Sequence, residues 1–300
     1  MQEIILRNLS PGRLLMLGDT ALLTRDAELA LGFYNAALRV DDGVLELRLR
    51  SRIGLARNPN LRTLTMLEAL QALDGMGNIF MGEGLVTWNK TLPFMDDEKF
   101  KMLVDKHADL LPIPNWHWNL QTVCWAVRRA RDLPGDLVEL GVFKGHTSLF
   151  VAEYLDFAEW NKTWHLYDTF DGIPDDQLDE GWKERNDDLY RGTFSFEEVR
   201  DRFSHIPNID VIQGRVPDIL HERCPEQVAF LHIDLNNVTA EMAALELLYD
   251  RVVPGGCLIF DDYAWATARP QYDAENAWFA ARGLQILPLP TGQGLLIKPA

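Results

Sequence analysis

The sequence predicts an α/β protein in which a mostly parallel, seven-stranded sheet follows an all-helical region. Three observations carry that prediction. Beyond Asp136 short apolar strands alternate with helices, as in a parallel sheet covered on both faces. The last two strands are joined by Pro290-Thr291-Gly292-Gln293-Gly294, a connection so short that the pair must be antiparallel. Before residue 75 the chain is rich in Leu, Ala and Arg, with helical periodicity and no strand-like alternation.

Taken in order, residues 1–75 form the helical region. Leu14, Leu17, Gly18, Ala30, Tyr34 and Ala37 fall at the small and large offsets of a tetratricopeptide repeat, and Asp41-Asp42-Gly43 supplies the turn that follows. A second helix pair, about 44–56 and 60–73, matches the repeat poorly, and an ordinary helical extension is the competing reading. Residues 76–115 are punctuated by Gly77, Gly82, Gly84, Pro93, Pro112 and Pro114. They read as a linker or lid with one short helix near 97–107. The third region, 116–300, opens with a helix that ends at Pro134-Gly135. Strands follow at 137–142, 164–167, 210–212, 228–233, 257–260, 284–289 and 295–298, and helices near 147–159, 196–203, 239–249 and 271–281.

Composition excludes several classes. Acidic residues outnumber basic ones 45 to 29, a formal charge of −16. Such a surface repels phosphate backbones and anionic membranes, so neither nucleic acid nor membrane is expected as a partner. The longest apolar runs are strand-sized, too short to cross a bilayer. The first 13 residues show no basic segment leading into an apolar run, so a cytoplasmic location is expected. Cys124, Cys224 and Cys257 are too few and too widely spaced for a disulfide framework or a metal knuckle.

Ligands of an open parallel sheet bind at the carboxyl ends of its strands. The first strand ends in Glu139-Leu-Gly141-Val-Phe143-Lys-Gly145-His-Thr147. Gly141 permits a tight turn, Gly145 a close backbone approach at a helix N-terminus, and Glu139 is costly to bury without a cationic partner. The spacing is not the G-x-G-x-x-G of a dinucleotide site. Asp168 ends the second strand, placed to accept hydrogen bonds from ribose hydroxyls, although a turn-capping role competes. Asp234 follows the fourth strand, and Asp261 and Asp262 follow the fifth. Three converging anions need a cation or protons to neutralise them, and hard oxygen ligands suit Mg²⁺ or a similar divalent ion. His232 is expected to point away from Asp234 as a core histidine. The acid-rich stretch 175–188, with Trp182 inside it, reads as a solvated flap, with a substrate-facing lid as the alternative.

With these residues assembled, the stretch from about Trp116 to Pro299 resembles the macrocin O-methyltransferase family of class I, Rossmann-like methyltransferases. The likeness rests on Gly135-Asp-Leu-Val-Glu139-Leu-Gly141-Val-Phe-Lys-Gly145, Tyr167-Asp168-Thr-Phe-Asp-Gly-Ile-Pro174, Leu231-His-Ile-Asp234, and Pro254-Gly-Gly-Cys-Leu-Ile-Phe-Asp261-Asp262-Tyr263. The acid pattern is also similar to that of catechol O-methyltransferases. The resemblance implies that Glu139, Gly141, Gly145 and Thr147 hold the methionine end of S-adenosylmethionine, and Asp168 its ribose. It places Gln213 and Gly214 near the adenine, and assigns Asp234, Asp261 and Asp262 to the metal. Two positions depart from it. Asn236 replaces the second acid of H-I-D-x-D-L-Y, and Asn237 stands near where the catechol enzymes carry a catalytic lysine.

The function this predicts is metal-dependent methyl transfer from S-adenosylmethionine to a hydroxyl of a small molecule, a sugar or glycosylated natural product, with Asp234 as proton acceptor. A homo-oligomer is compatible with the helical appendage. The alternative is a non-catalytic interaction protein whose helices recruit a partner while the methyltransferase-like domain serves as scaffold.

Overall fold

The computed structural model describes residues 9–57, 66–67, 70–71, 79–110, 115–178 and 183–300. The chain divides into two compact units, 1–97 with 111–117 and 98–110 with 118–300.

The first unit contains α1 (Pro11–Leu23), α2 (Ala27–Val40), α3 (Glu46–Arg57) and a hairpin of β1 (Ile79–Gly82) and β2 (Leu85–Trp88). Ser10 caps α1 by accepting from the Arg13 amide, and Asp26 caps α2 by accepting from the Leu29 amide. The two helices pack through Gly18, where an added Cβ would fall 2.2 Å from the Tyr34 ring. Below that crossing the Asp19 carboxylate accepts from the Tyr34 hydroxyl at 2.8 Å, Arg52 Nε at 3.3 Å and Gln71 Nε2 at 2.9 Å. Leu14, Ala30, Tyr34 and Ala37 are buried as the pattern required, but Leu17 is exposed. The helix expected near 60–73 lies largely outside the described residues, as do Gly77, Pro112 and Pro114. The hairpin occupies part of the stretch that reads as a linker. Its two-residue turn, Glu83-Gly84, has φ of 43° and 74°, the paired positive values that let antiparallel strands reverse tightly.

The second unit opens with α4 (Glu98–Lys106) and α5 (His117–Ala130). It continues β3 (Asp136–Leu140), α6 (His146–Tyr154), β4 (Trp164–Asp168), α7 (Lys183–Leu189), α8 (Phe196–Arg202), β5 (Ile209–Gln213), α9 (Asp218–Glu222) and β6 (Val228–Ile233). The chain closes with α10 (Val238–Leu248), β7 (Val252–Phe260), α11 (Arg269–Ala280), β8 (Leu287–Pro288) and β9 (Gly294–Ile297). The strands form one seven-stranded sheet in the order β5-β4-β3-β6-β7-β9-β8, parallel except for β9, which runs antiparallel to both its neighbours. β6 lies at the centre and is buried over its whole length, which explains its unbroken apolar run.

The order reverses between β3 and β6, the switch point at which such sheets bind ligands. Register decides which side chains meet there. Glu139 stands opposite His232, and His232 opposite Ile259. Side chains alternate faces along a strand, so Glu139, His232, Asp234 and Asp261 all fall on one face.

The described acids after β4, Asp175, Asp176, Asp187 and Asp188, are solvent-exposed as expected, and their neighbours are fastened to the domain. Asn186, fully buried, accepts from the Ile173 amide at 2.8 Å and donates to the Ile173 carbonyl at 3.1 Å. Gln177 donates to the Val216 carbonyl at 2.9 Å, and Arg191 and Arg215 hold Asp175 and Asp176. Trp182 lies outside the described residues. Among the described residues no helix is long and apolar enough to cross a membrane.

Candidate functional site

The turn after β3 is built by close packing. Gly141 adopts φ +85°, and its missing Cβ would fall 1.8 Å from the Asp234 carbonyl oxygen. No side chain fits there. Gly145 also has positive φ, and its missing Cβ would meet the Phe203 ring at 2.8 Å. Its close approach is therefore to the end of α8 within the protein. Gly145 leads into α6, whose N-terminus carries no side-chain cap. The first-turn amides of a helix have no intrahelical acceptor, so they offer positive potential to an anion. Thr147 is buried in that turn, its hydroxyl 3.0 Å from His146 Nε2. Burial pushes His146 down to about 4 and keeps its imidazole neutral.

Asp168, half-buried at the end of β4, fastens this turn to its neighbour strand. Its Oδ2 accepts from the amides of Val142 at 2.7 Å and Phe143 at 2.8 Å, and its Oδ1 from the Phe170 amide at 2.8 Å. Gln213 is its register partner on β5 and donates to the Thr169 carbonyl, and the Gly214 amide donates to the Asp168 carbonyl. Asp168, Gln213 and Gly214 are thus adjacent, and together with Gly141, Gly145 and Thr147 they line one continuous edge of the sheet.

His232 is buried in the core as expected, but it does not point away from the acids. It faces the acids: Nδ1 is 3.5 Å from Glu139 Oε1 and Nε2 is 3.5 Å from Asp261 Oδ1. The reason is parity, since positions 232 and 234 share a face and 232 is in register with 139. Burial opposes charge on the ring, but the contacts to Asp261 and Glu139 outweigh it and push His232 up to about 10. Glu139, 2% exposed, is pushed up by burial, while His232 and Ser148 draw it back. Asp261 would also be raised by burial, yet His232, Asn119 and Gln293 hold it below the usual carboxylate range. Asp234 is pushed well up by burial and by the neighbouring charges of Asp261 and Asp262. Asn236 donates to Asp234 Oδ1 at 3.0 Å.

The expected metal ligands do not form a ready-made site. Among the described residues no group of three or more His, Cys, Asp or Glu side chains is gathered tightly enough to hold a metal ion. Asp261 Oδ1 is occupied by Asn119 and Gln293, and the charge a metal would neutralise is met in part by His232.

Two further acids escape notice in the sequence. Glu241 on α10 and Glu275 on α11 are 3% and 1% exposed and lie within hydrogen-bonding reach of each other. Glu241 also lies near the backbone of Leu235, the residue after Asp234, and both acids feel the charge of Asp262. Both are pushed upward, first by desolvation on burial and then by the neighbouring acid charges. The available signal was helical spacing: Glu241 shares a buried stripe with Ala244, Leu245 and Leu248, and Glu275 with Gln271 and Phe279.

Residues 118–284, more than half of the chain, match the macrocin-O-methyltransferase (TylF) family. The chain belongs to the macrocin O-methyltransferase family. Among family relatives, it is 32% identical over 158 residues to the 8-demethyl-8-(2,3-dimethoxy-alpha-L-rhamnosyl)-tetracenomycin-C 4'-O-methyltransferase of Streptomyces olivaceus, covering 49% of this chain and 59% of that protein. It is 31% identical over 141 residues to the demethyldecarbamoylnovobiocin O-methyltransferase of Streptomyces niveus, covering 44% of this chain and 54% of that one. The chain thus spans between a half and two thirds of the length of these relatives. Among solved structures, the O-methyltransferase NovP superposes with a TM-score of 0.53 at 25% identity, covering 61% of this chain and 80% of NovP. The class I methyltransferase sheet expected from the sequence is the observed one.

Proposed function

We propose that this protein is an S-adenosylmethionine-dependent O-methyltransferase acting on a hydroxyl of a glycosylated small molecule. The observation that carries the reading is the joined edge of β3, β4 and β6. There an uncapped helix N-terminus, a carboxylate beneath the glycine turn, and an acid cluster stand side by side within a macrocin O-methyltransferase domain. Relatives named for rhamnosyl and novobiocin acceptors support a sugar-bearing substrate.

In this reading the first-turn amides of α6, with Thr147, receive the carboxylate of the methionine moiety. Asp168 takes the ribose by yielding some of its backbone contacts, and Gln213 and Gly214 border the adenine. Glu139 is held by His232, so its part is to shape the floor of the site. S-adenosylmethionine, when bound, supplies the methyl group. A divalent cation is the finer part of this reading: Asp234, Asp261 and Asp262 are hard oxygen donors at adjacent strand ends, and they would have to draw together to surround an ion. Asp234, Asp261 and Asp262 would hold that ion, and its charge would lower the acceptor hydroxyl's pKa. Asp234, at the end of β6 beside the turn, would accept the hydroxyl proton as the methyl group leaves the sulfonium for the hydroxyl oxygen.

The test is calorimetric titration with S-adenosylmethionine, followed by methyl transfer to α-L-rhamnosyl glycosides with and without EDTA. Binding and transfer are expected, with transfer lost in EDTA. Replacing both Asp261 and Asp262 with Ala should abolish transfer and leave cofactor binding in place. Absence of cofactor binding would overturn the enzyme reading and favour a scaffold. Unchanged turnover in EDTA would remove the metal.

A further inference from the structure

Asp261 is held by one of its two oxygens. Asn119 Nδ2 on α5 donates to Oδ1 at 3.0 Å, Gln293 Nε2 donates to the same atom at 3.1 Å, and His232 Nε2 lies 3.5 Å from it. Asn119 and Gln293 are 1% and 0% exposed, so both donors are committed to the protein interior. Gln293 comes from the hairpin turn between β8 and β9, a segment whose sequence signals only a chain reversal.

The turn is built to present that amide one way round. The Gln293 backbone amide donates to Thr291 Oγ1 at 3.4 Å, which leaves the Thr291 hydroxyl proton to donate to Gln293 Oε1 at 3.0 Å. With Oε1 so engaged, Nε2 faces Asp261. The turn is closed by Gly292 N to the Leu289 carbonyl at 3.0 Å and Leu289 N to the Gln293 carbonyl at 2.8 Å. It is fastened by the Ala264 amide to the Gly292 carbonyl at 2.6 Å, directly after the Asp261-Asp262-Tyr263 segment. Gly292 has φ +93° and sits against the Trp265 indole, 2.2 Å from where its Cβ would be.

We infer that the C-terminal hairpin turn is part of the methyl-transfer site, with Gln293, oriented by Thr291, a positioning residue that fixes Asp261. With Oδ1 satisfied by Gln293 and Asn119, Asp261 offers its other oxygen to the acceptor or to a cation. A freely rotating carboxylate would present either oxygen, or both, and would have to be ordered at each turnover. This inference rests on the proposed methyl transfer for its kinetic consequence, but not for its structural one.

The experiment uses the full chain and the variants Q293L, T291V, T291S, D261A and the double variant Q293L/D261A. Thermal melting reads the structural consequence: Q293L lowers Tm in the wild-type background and not in D261A, where the acceptor is already gone. Equal lowering in both backgrounds overturns the inference. Turnover with an α-L-rhamnosyl glycoside reads the kinetic one: Q293L loses roughly ten- to a hundred-fold in kcat, the worth of a hydrogen bond to a charged group. Its affinity for S-adenosylmethionine is unchanged. T291V shows a smaller loss of the same kind, and T291S restores activity. Full kcat in Q293L, with the melting cycle coupled, also overturns the positioning role. A coupled cycle in a protein that transfers no methyl group leaves the Asp261 contact standing and instead overturns the proposed function.

Discussion

The Cβ that Gly141 lacks would fall 1.8 Å from the backbone carbonyl oxygen of Asp234. The two residues end adjacent strands, and the Asp234 amide in turn donates to the Leu140 carbonyl at 2.8 Å. The turn that would face the cofactor and the acid that would face the acceptor are therefore set against each other, and neither moves alone.

Replacing Gly141 with Ala should be severe. The residue would carry a Cβ at φ +85° and press it into main chain that has no freedom to yield. Left-handed strain and overpacking together cost about 2–5 kcal/mol. Chemical denaturation should show that loss, while Gly43→Ala should show only the strain, since nothing lies within 4 Å of a Cβ there. Equal losses in the two variants would refute the packing account.

Asp168→Ala should weaken S-adenosylmethionine binding by at least an order of magnitude and also lower stability. The carboxylate receives the Val142 and Phe143 amides on one oxygen, and hydrogen bonds to a charged group are worth about 1.5–3 kcal/mol each. Isothermal titration and melting should move together. A loss of affinity at unchanged Tm would mean that Asp168 serves only the ligand.

Much of this site was legible because strands impose strict rules. Glu139, Asp168, Asp234, Asp261 and Asp262 stand at strand ends that apolar runs and turn residues mark locally. The same rule turns His232 toward the acids, since counting two residues back from Asp234 places it on the site's face. Glu241, Glu275, Asn119 and Gln293 are a different case. Asn119 and Gln293 come from elements distant in sequence, while Glu241 and Glu275 come from the helices that follow β6 and β7, and only the packing of α5, α10, α11 and the last hairpin brings them together. The β1–β2 hairpin was hidden by its brevity, although Glu83-Gly84 is a usable turn signal between two apolar runs.

His146 should make the fold acid-labile. Burial lowers its pKa to about 4, whereas the unfolded chain binds a proton near 6.5. Between those values the unfolded state holds more protons, so stability falls as pH drops through that window. The loss reaches about 2 kcal/mol at pH 5 relative to neutral pH. His146→Asn has no such group, so the stability gap between it and the wild-type protein should change by that amount between pH 7.5 and 5. A gap constant with pH would show that His146 does not titrate differently on folding.

Glu275 should give the opposite dependence. Burial raises its carboxyl above the ordinary value, aided by the charge of Asp262 and offset in part by Glu241. The native state therefore holds a proton that the unfolded chain gives up near pH 4.5, and stability falls as pH rises above that value. A glutamine keeps the shape and accepts the hydrogen bond from Glu241 without carrying the charge. Glu275→Gln should thus be more stable than the wild-type protein by about 1–3 kcal/mol at pH 8. The advantage should shrink toward zero as pH falls below 4.5, where both states of the wild-type chain are protonated. If the same variant gains stability yet loses methyl transfer, the buried acid pair is retained for the site rather than for the fold. Unfolding curves across that pH range, paired with turnover at pH 8, separate those two roles.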